Sequence, residues 1–225
     1  MIVRLAVVSM IIYPMFDRQQ CAVLVVANDR IEMETEAGLT ELERRGYAVF
    51  RTFGNSACDL GRNLMAYEAL TRGFSALMWI DSDMYFQADD VDKLRCRDCP
   101  MICGLYIGRN APVWTSQFLD DRPVVIGTSE VRPIKFAAGG FNLIQSRVYD
   151  AMTFKLKLPL CGAQFGQPLR PWHQPLVAKL DGRWAYFTED YAFGMRAREC
   201  GFEPMADLSV KWGHIGRAIH APVSL

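Results

Sequence analysis

Net charge is missing from this sequence: 25 lysines and arginines are balanced by 25 aspartates and glutamates, and histidine occurs three times. With that balance, and with no stretch that interleaves basic and aromatic residues, a chain built mainly to grip a nucleic-acid backbone is not expected. An internal repeat, a low-complexity tract and a linker are missing too, which points to a single domain. No apolar run reaches membrane-spanning length. Residues 2–16 are apolar apart from Arg4, but Pro14 interrupts them, Asp17 and Arg18 follow, and no small-residue cleavage site is apparent. Neither a span nor a signal peptide is therefore expected, and residues 1–20 are read as an N-terminal arm or an extra strand.

Disulfide patterning is lacking as well. The seven cysteines are odd in number and scattered, which suits a reduced, cytoplasmic setting. Cys96, Cys99 and Cys103 are spaced like metal ligands, but a closed zinc site needs a fourth and none lies nearby in sequence. Cys103 is expected to be a small core residue on a strand.

What the chain does have is apolar content, 51% over 225 residues, enough to bury one α/β core. Charge is unevenly spread: residues 1–92 hold 8 basic and 14 acidic side chains, and residues 93–225 hold 17 and 11. A basic second half would suit an anionic partner, although solvated surface charge explains the difference equally well.

A continuous apolar run over residues 21–27 predicts a buried first strand. A helix follows, with Asp29 as cap, Glu32 as its capping-box partner and Gly46 as the stop. Residues 47–53 predict a second strand, and a second helix carries Leu60, Leu64, Tyr67 and Leu70 on one face as far as Gly73. Residues 76–80 form another large apolar run that stops abruptly at Asp81-Ser82-Asp83. This alternation of strand and helix predicts parallel pairing. A short helix near 89–94 and a strand over 101–107 come next, and Gly139-Gly140 turns into a further strand ahead of a brief helix capped by Ser146. Prolines and glycines make 158–175 a loop and a candidate flap. Residues 184–187 predict a strand, after which Thr188 caps a helix opened by Glu189-Asp190 and ended by Gly201.

Ligands of open α/β sheets bind at the carboxyl ends of the strands, and two carboxylates one residue apart there can hold a hard cation carrying a phosphate. Taken singly, each conspicuous element has a plain explanation. Asp81-Ser82-Asp83 can be a solvated loop, Gly139-Gly140 a turn, Glu189-Asp190 acids satisfying a helix N-terminus, and His214 a polar histidine. Their combination and order, over roughly 21–216, resemble the GT-A glycosyltransferases: a D-x-D after a strand, the glycine loop Ala138-Gly139-Gly140-Phe141, an E-D pair opening a helix, and a late His within His-Ile-Gly. Trp79-Ile80-Asp81-Ser82-Asp83-Met84 and Gly61-Arg62-Asn63 look like the bacterial and viral members.

The resemblance implies a single α/β domain with a GT-A (Rossmann-like) mixed central sheet flanked by helices, 21–108 serving as the nucleotide-sugar half and 109–225 as the acceptor half. It implies Asp81, Asp83 and His214 as ligands of Mn²⁺ or Mg²⁺, and Asn28, Asp59, Arg62, Asp81, Ser82, Gly139 and Gly140 on the donor side. Asp190 would be the base, with Glu189 binding acceptor hydroxyls or exchanging roles with it. The expected reaction moves a sugar from a nucleotide-diphosphate donor, UDP foremost, to an acceptor hydroxyl with inversion. A glycan or small glycoside is the default acceptor, and a hydroxymethylated base in viral DNA the other. A nucleotidyltransferase and a non-catalytic sugar-nucleotide-binding protein are the alternatives. The first would want a Gly/Lys/Arg-rich phosphate loop after the first strand, where the chain has Ala27-Asn28-Asp29-Arg30. Arg62 is expected to pair with Asp81 or a phosphate, or to be an ordinary surface arginine. Trp114 and Trp172 are candidate stacking platforms, with packing as the expected role.

Overall fold

Strands β1 (Cys21–Val26), β2 (Ala48–Thr52) and β3 (Ala76–Ile80) lie side by side in parallel, β1 in the middle. Helices α1 (Met33–Arg44) and α2 (Cys58–Thr71) make the crossovers, as parallel pairing requires. The computed structural model describes residues 16–108, 113–210 and 213–216, so most of the expected N-terminal arm lies outside the described residues. Its last part, Arg18–Gln20, is a single 3-10 turn leading into β1.

After β3 the chain forms the two-residue strand β4 (Met84–Tyr85), helix α3 (Ala88–Arg95) and strand β5 (Met101–Gly104). Strands β6 (Gln117–Phe118), β7 (Val131–Phe136) and β8 (Phe141–Gln145) follow, then helix α4 (Ser146–Lys155). A hairpin of β9 (Leu176–Leu180) and β10 (Arg183–Phe187) leads into helix α5 (Glu189–Glu199), and β11 (Met205–Asp207) and β12 (Gly213–His214) close the described chain. The main sheet has the order β2-β1-β3-β8-β5-β11-β7-β6. Because β8 runs antiparallel to both β3 and β5, the sheet is mixed. The chain is thus an α/β domain built on one eight-stranded mixed sheet with helices on both faces.

Alternation along the strands sorts the core into two layers. Ala22, Leu24, Leu77 and Trp79 face α2, α4 and α5 through Met65, Ala66, Tyr149 and Phe193, while Val23, Val25, Met78 and Ile80 face α1 and α3 through Leu39, Leu42, Val91 and Leu94. A central strand covered on both sides has no polar position, which is why β3 reads as an unbroken apolar run. Each large side chain sealed this way contributes about 1.5–3 kcal/mol.

Several local expectations are corrected. Helix α1 starts at Met33 with Glu32 as its N-cap residue, not Asp29; the Glu32 N–H donates to the Ser82 carbonyl at 2.8 Å, which ties the helix start to the turn after β3. Helix α2 turns Gly61, Arg62, Met65, Ala66 and Ala69 inward and leaves Leu60 exposed. Close packing on β1 selects its small residues rather than its leucines: a methyl on Gly61 would stand 2.8 Å from Val26. The expected flap at 158–175 is anchored at its end. Trp172 and His173 are buried, the Trp172 indole N–H donates to the Tyr149 carbonyl at 3.1 Å, and the His173 N–H donates to Asn63 Oδ1 at 2.8 Å. Trp172 therefore packs in the core and is no stacking platform. Strand β9 was not foreseen, because its mixed Leu-Val-Ala-Lys-Leu pattern carries no strong period. Cys103 lies in the core on β5, where burial pushes its thiol up to about 12. No helix among the described residues is long and apolar enough to cross a membrane.

Candidate active site

The reversal of β8 assembles the site. Since β8 is antiparallel to β3, its first residue pairs with the last residue of β3, Phe141 with Ile80. Gly139-Gly140 is thereby set against Asp81, whose N–H donates to the Gly140 carbonyl at 2.9 Å. Both glycines are needed for this approach. A methyl on Gly140 would meet the Tyr106 hydroxyl at 2.6 Å and Asp81 Oδ2 at 2.8 Å, and one on Gly139 would overlap the Arg62 guanidinium.

Arg62 is the hub. Only 4% exposed, it projects from the second turn of α2 and donates to Asp81 Oδ1 at 2.8 Å, to the Gly139 carbonyl at 3.3 Å and to Cys58 Sγ at 3.3 Å. Glu189 stands 3.8 Å away, and the Trp79 ring lies beneath the guanidinium at 5.5 Å. Burial alone would favour losing its proton, but Asp81 and Glu189 more than offset that and raise its pKa. Of the alternatives left open, Arg62 pairs with Asp81 and is not a surface residue.

The second half of the chain brings the remaining acids. Thr188 begins α5 without capping it through its side chain; its hydroxyl donates instead to Asp190 Oδ1 at 2.7 Å, an oxygen that also accepts the Tyr191 N–H at 2.7 Å. Asp190 Oδ2 accepts the Gly139 N–H at 3.2 Å, so the carboxylate is locked facing the glycine loop. Burial raises the Glu189 pKa above the usual carboxylate range, with Asp190 and Asp81 repelling its charge and Arg62 opposing the shift. Asp81 is raised for the same first reason, burial, and by Asp83 and Asp190, against Arg62 and His214. Its side chain keeps 38% exposure, but the cleft walls crowd it.

His214 arrives by way of β12, which pairs with β4 so that His214 faces Met84 and the Ile215 N–H donates to the Asp83 carbonyl at 2.8 Å. The imidazole Nε2 lies 3.5 Å from Asp83 Oδ1, both side chains largely buried, and Nδ1 is buried with no hydrogen-bond partner among the described residues. One carboxylate beside the Nε2 of one imidazole offers the oxygen and nitrogen donors that a divalent cation such as Mn²⁺ accepts. Asp81 is turned to Arg62, and among the described residues no group of three His, Cys, Asp or Glu is arranged to hold a metal. Asp83 and His214 are the pair that could share one cation, with Asp81 engaged by Arg62.

Of the other expected donor-side residues, Ser82 is half-buried in the turn and holds α1 through its carbonyl, while Asn28 is exposed after β1 and its carbonyl accepts the Gly54 N–H at 2.7 Å. Asp59 lies in the first turn of α2, one turn before Arg62, but the acids flanking the guanidinium are Asp81 and Glu189. Trp114 is 37% exposed. Tyr106 was missed. It follows β5 at the same sheet edge, its hydroxyl accepts the Gly140 N–H at 3.0 Å, and its ring meets His214 edge-on at 5.4 Å. An aromatic residue just past a central strand was the available signal.

No protein-family model and no curated protein matches the chain. Among solved structures, "Crystal Structure of A197 from STIV" is similar at a TM-score of 0.56 and 12% identity, over 88% of this chain and 86% of that one, which shows a shared fold. "Crystal structure of GalNAc-T7 with UDP, GalNAc and Mn2+" is similar at a TM-score of 0.47 and 12% identity over 88% of this chain; the chain spans 44% of that one.

Proposed function

We propose that this chain is a metal-dependent glycosyltransferase of the GT-A type, moving a sugar from a nucleotide-diphosphate donor, UDP foremost, to an acceptor hydroxyl. The observation that carries the reading is the meeting of Asp81, Asp83, Glu189, Asp190 and His214 at one sheet edge around the buried Arg62 and a glycine pair that admits no side chain. Among the described residues Arg62 and His214 face four carboxylates, a balance that favours a cation and, through it, a diphosphate.

Asp83 and His214 would hold Mn²⁺ or Mg²⁺. When bound, such an ion neutralises the charge that grows on a departing diphosphate. Arg62 holds Asp81 by a charge-assisted hydrogen bond and spaces the glycine loop, so that the backbone of Gly139 and Gly140 can approach the donor sugar. Asp190 is the base. Its carboxylate, oriented by Thr188 and two backbone N–H groups, takes the proton from the acceptor hydroxyl as that oxygen attacks the anomeric carbon opposite the leaving group, giving inversion. Glu189, 3.8 Å from Arg62 and next to Asp190, is placed to accept hydrogen bonds from the acceptor hydroxyls. On this reading residues 21–108 serve the donor and residues 109–225 supply the base and the acceptor side.

A thermal-shift screen of nucleotide-sugars with and without Mn²⁺ tests this. One donor should raise the melting temperature only with the metal, by an amount that grows with ligand concentration. Stabilisation by a nucleoside triphosphate alone, with pyrophosphate release, would replace the proposal with nucleotidyl transfer.

A further inference from the structure

The β9–β10 hairpin has one face with a structural role and one without. Its inner side packs onto a small cluster of Phe136, Phe187 and Ala192, joined by Tyr191. Its outer side presents Trp184 at 73%, Tyr186 at 69% and Val177 at 59% exposure. The register makes these one patch: Tyr186 pairs with Val177 and Trp184 with Lys179, and the Lys179 ammonium lies 5.3 Å over the Trp184 ring. Single exposed apolar residues are ordinary, whereas two aromatic rings two residues apart on one strand face form a contiguous surface.

The hairpin is also tied to the cleft. Tyr191, which it covers, stacks on Phe136 at 4.9 Å and follows Asp190 directly. Tyr186 and Asp190 are four positions apart along the chain, so their Cα atoms are at most about 14 Å apart.

We infer that the outer face of the β9–β10 hairpin, Trp184 and Tyr186 above all, is a docking platform for an acceptor that is an uncharged glycan chain longer than one sugar. This rests on the reading of the cleft as a sugar-transfer site. Rings with exposed faces suit a ligand that is apolar on its flat sides and polar at its edges. Charge selects among such ligands. A nucleic-acid strand reaching from this face toward Asp190 would bring phosphates against Asp81, Asp83, Glu189 and Asp190, opposed among the described residues by Arg62 and His214. A neutral glycan meets no such repulsion.

Native electrophoresis through gels containing dextran, β-glucan, mannan or galactan tests the platform, using wild type, the Trp184→Ala/Tyr186→Ala double variant and, as control, Phe165→Ala, which removes a 78% exposed ring outside the hairpin. Retardation of wild type and the control in at least one gel, with at least tenfold weaker apparent affinity in the double variant at an unchanged melting temperature, is expected. No retardation in any gel, or equal retardation of all three proteins, overturns the inference. So does a low-salt shift of oligo-dT that the double variant loses, or a wild-type dimer that the double variant dissolves. Donor hydrolysis by wild type in Mn²⁺ is measured separately. Its absence beside Trp184-dependent retardation would refute sugar transfer while leaving a glycan-binding face.

Discussion

Arg62 fills the space that a side chain on Gly139 would need, while its guanidinium donates to the Gly139 carbonyl at 3.3 Å. Helix α2 and the loop before β8 therefore compete for one volume, and glycine resolves the competition. Gly139→Ala is expected to cost about 1–3 kcal/mol through overpacking. Arg62→Ala strands buried carboxylates, and costs toward the low end of about 3–5 kcal/mol because Asp81 is partly open. Combined, the two should cost less than their sum by about 1 kcal/mol or more, since the clash partner is gone. Urea melts of the four proteins measure this, and strict additivity would refute the steric pairing.

Asp83 and His214, 3.5 Å apart, should act together on metal. Asp83→Ala and His214→Ala are each expected to abolish Mn²⁺-dependent donor binding in calorimetry. Neither belongs to the hydrophobic core, so the melting temperature should move by less than about 4 °C, the equivalent of roughly 1 kcal/mol. Undiminished metal-dependent binding in both would remove them as metal ligands.

Asp190→Asn keeps the side-chain shape and one acceptor oxygen, gives up the acceptor for either the Gly139 or the Tyr191 N–H, and cannot take a proton. Donor affinity should be retained while transfer to acceptor falls by about 10²-fold or more. Full transfer activity in this variant would assign the base elsewhere, with Glu189 next to be tested.

Glu189 supplies a pH signature. Burial, Asp190 and Asp81 raise its folded pKa, so the folded state holds this proton more tightly than the unfolded chain does. The associated stability is fully present below the unfolded value of about 4.3 and is lost as pH rises through the folded value. Glu189→Gln removes that loss. Relative to wild type, the variant's melting temperature should improve as pH rises above about 4.3 and level off once the folded value is passed, in the absence of metal. A difference that stays flat, or that shrinks, would contradict the raised pKa.

The parts of the molecule legible in its residues are those governed by neighbours along the chain. The run at 76–80 reads as a buried strand because its apolar character is unbroken, and Gly46, Gly73 and Gly201 mark helix ends because each adopts a positive φ that other residues resist. Glu189-Asp190 reads as a helix start because acids are favoured there. The strand-helix alternation likewise carries the α/β class, as connections between parallel strands are confined to few topologies.

Contacts between segments distant along the chain escaped that reading. Arg62 and Asp81 are separated by 19 residues, Gly139 and Asp190 by 51, and no local period encodes either contact. The hydrophobic pattern of α2 marks Tyr67 and Leu70, which do pack against the core, but not the glycine, alanines and arginine that close packing on β1 and ion pairs bury. Tyr106 carried no motif. Its place at the glycine loop follows from β8 reversing between β3 and β5. Composition and periodicity were sufficient to specify layers and elements, because those arise from local backbone preference and burial. Which charges meet in the cleft was set by strand order and direction, because electrostatics and close packing act across space whatever the distance along the chain.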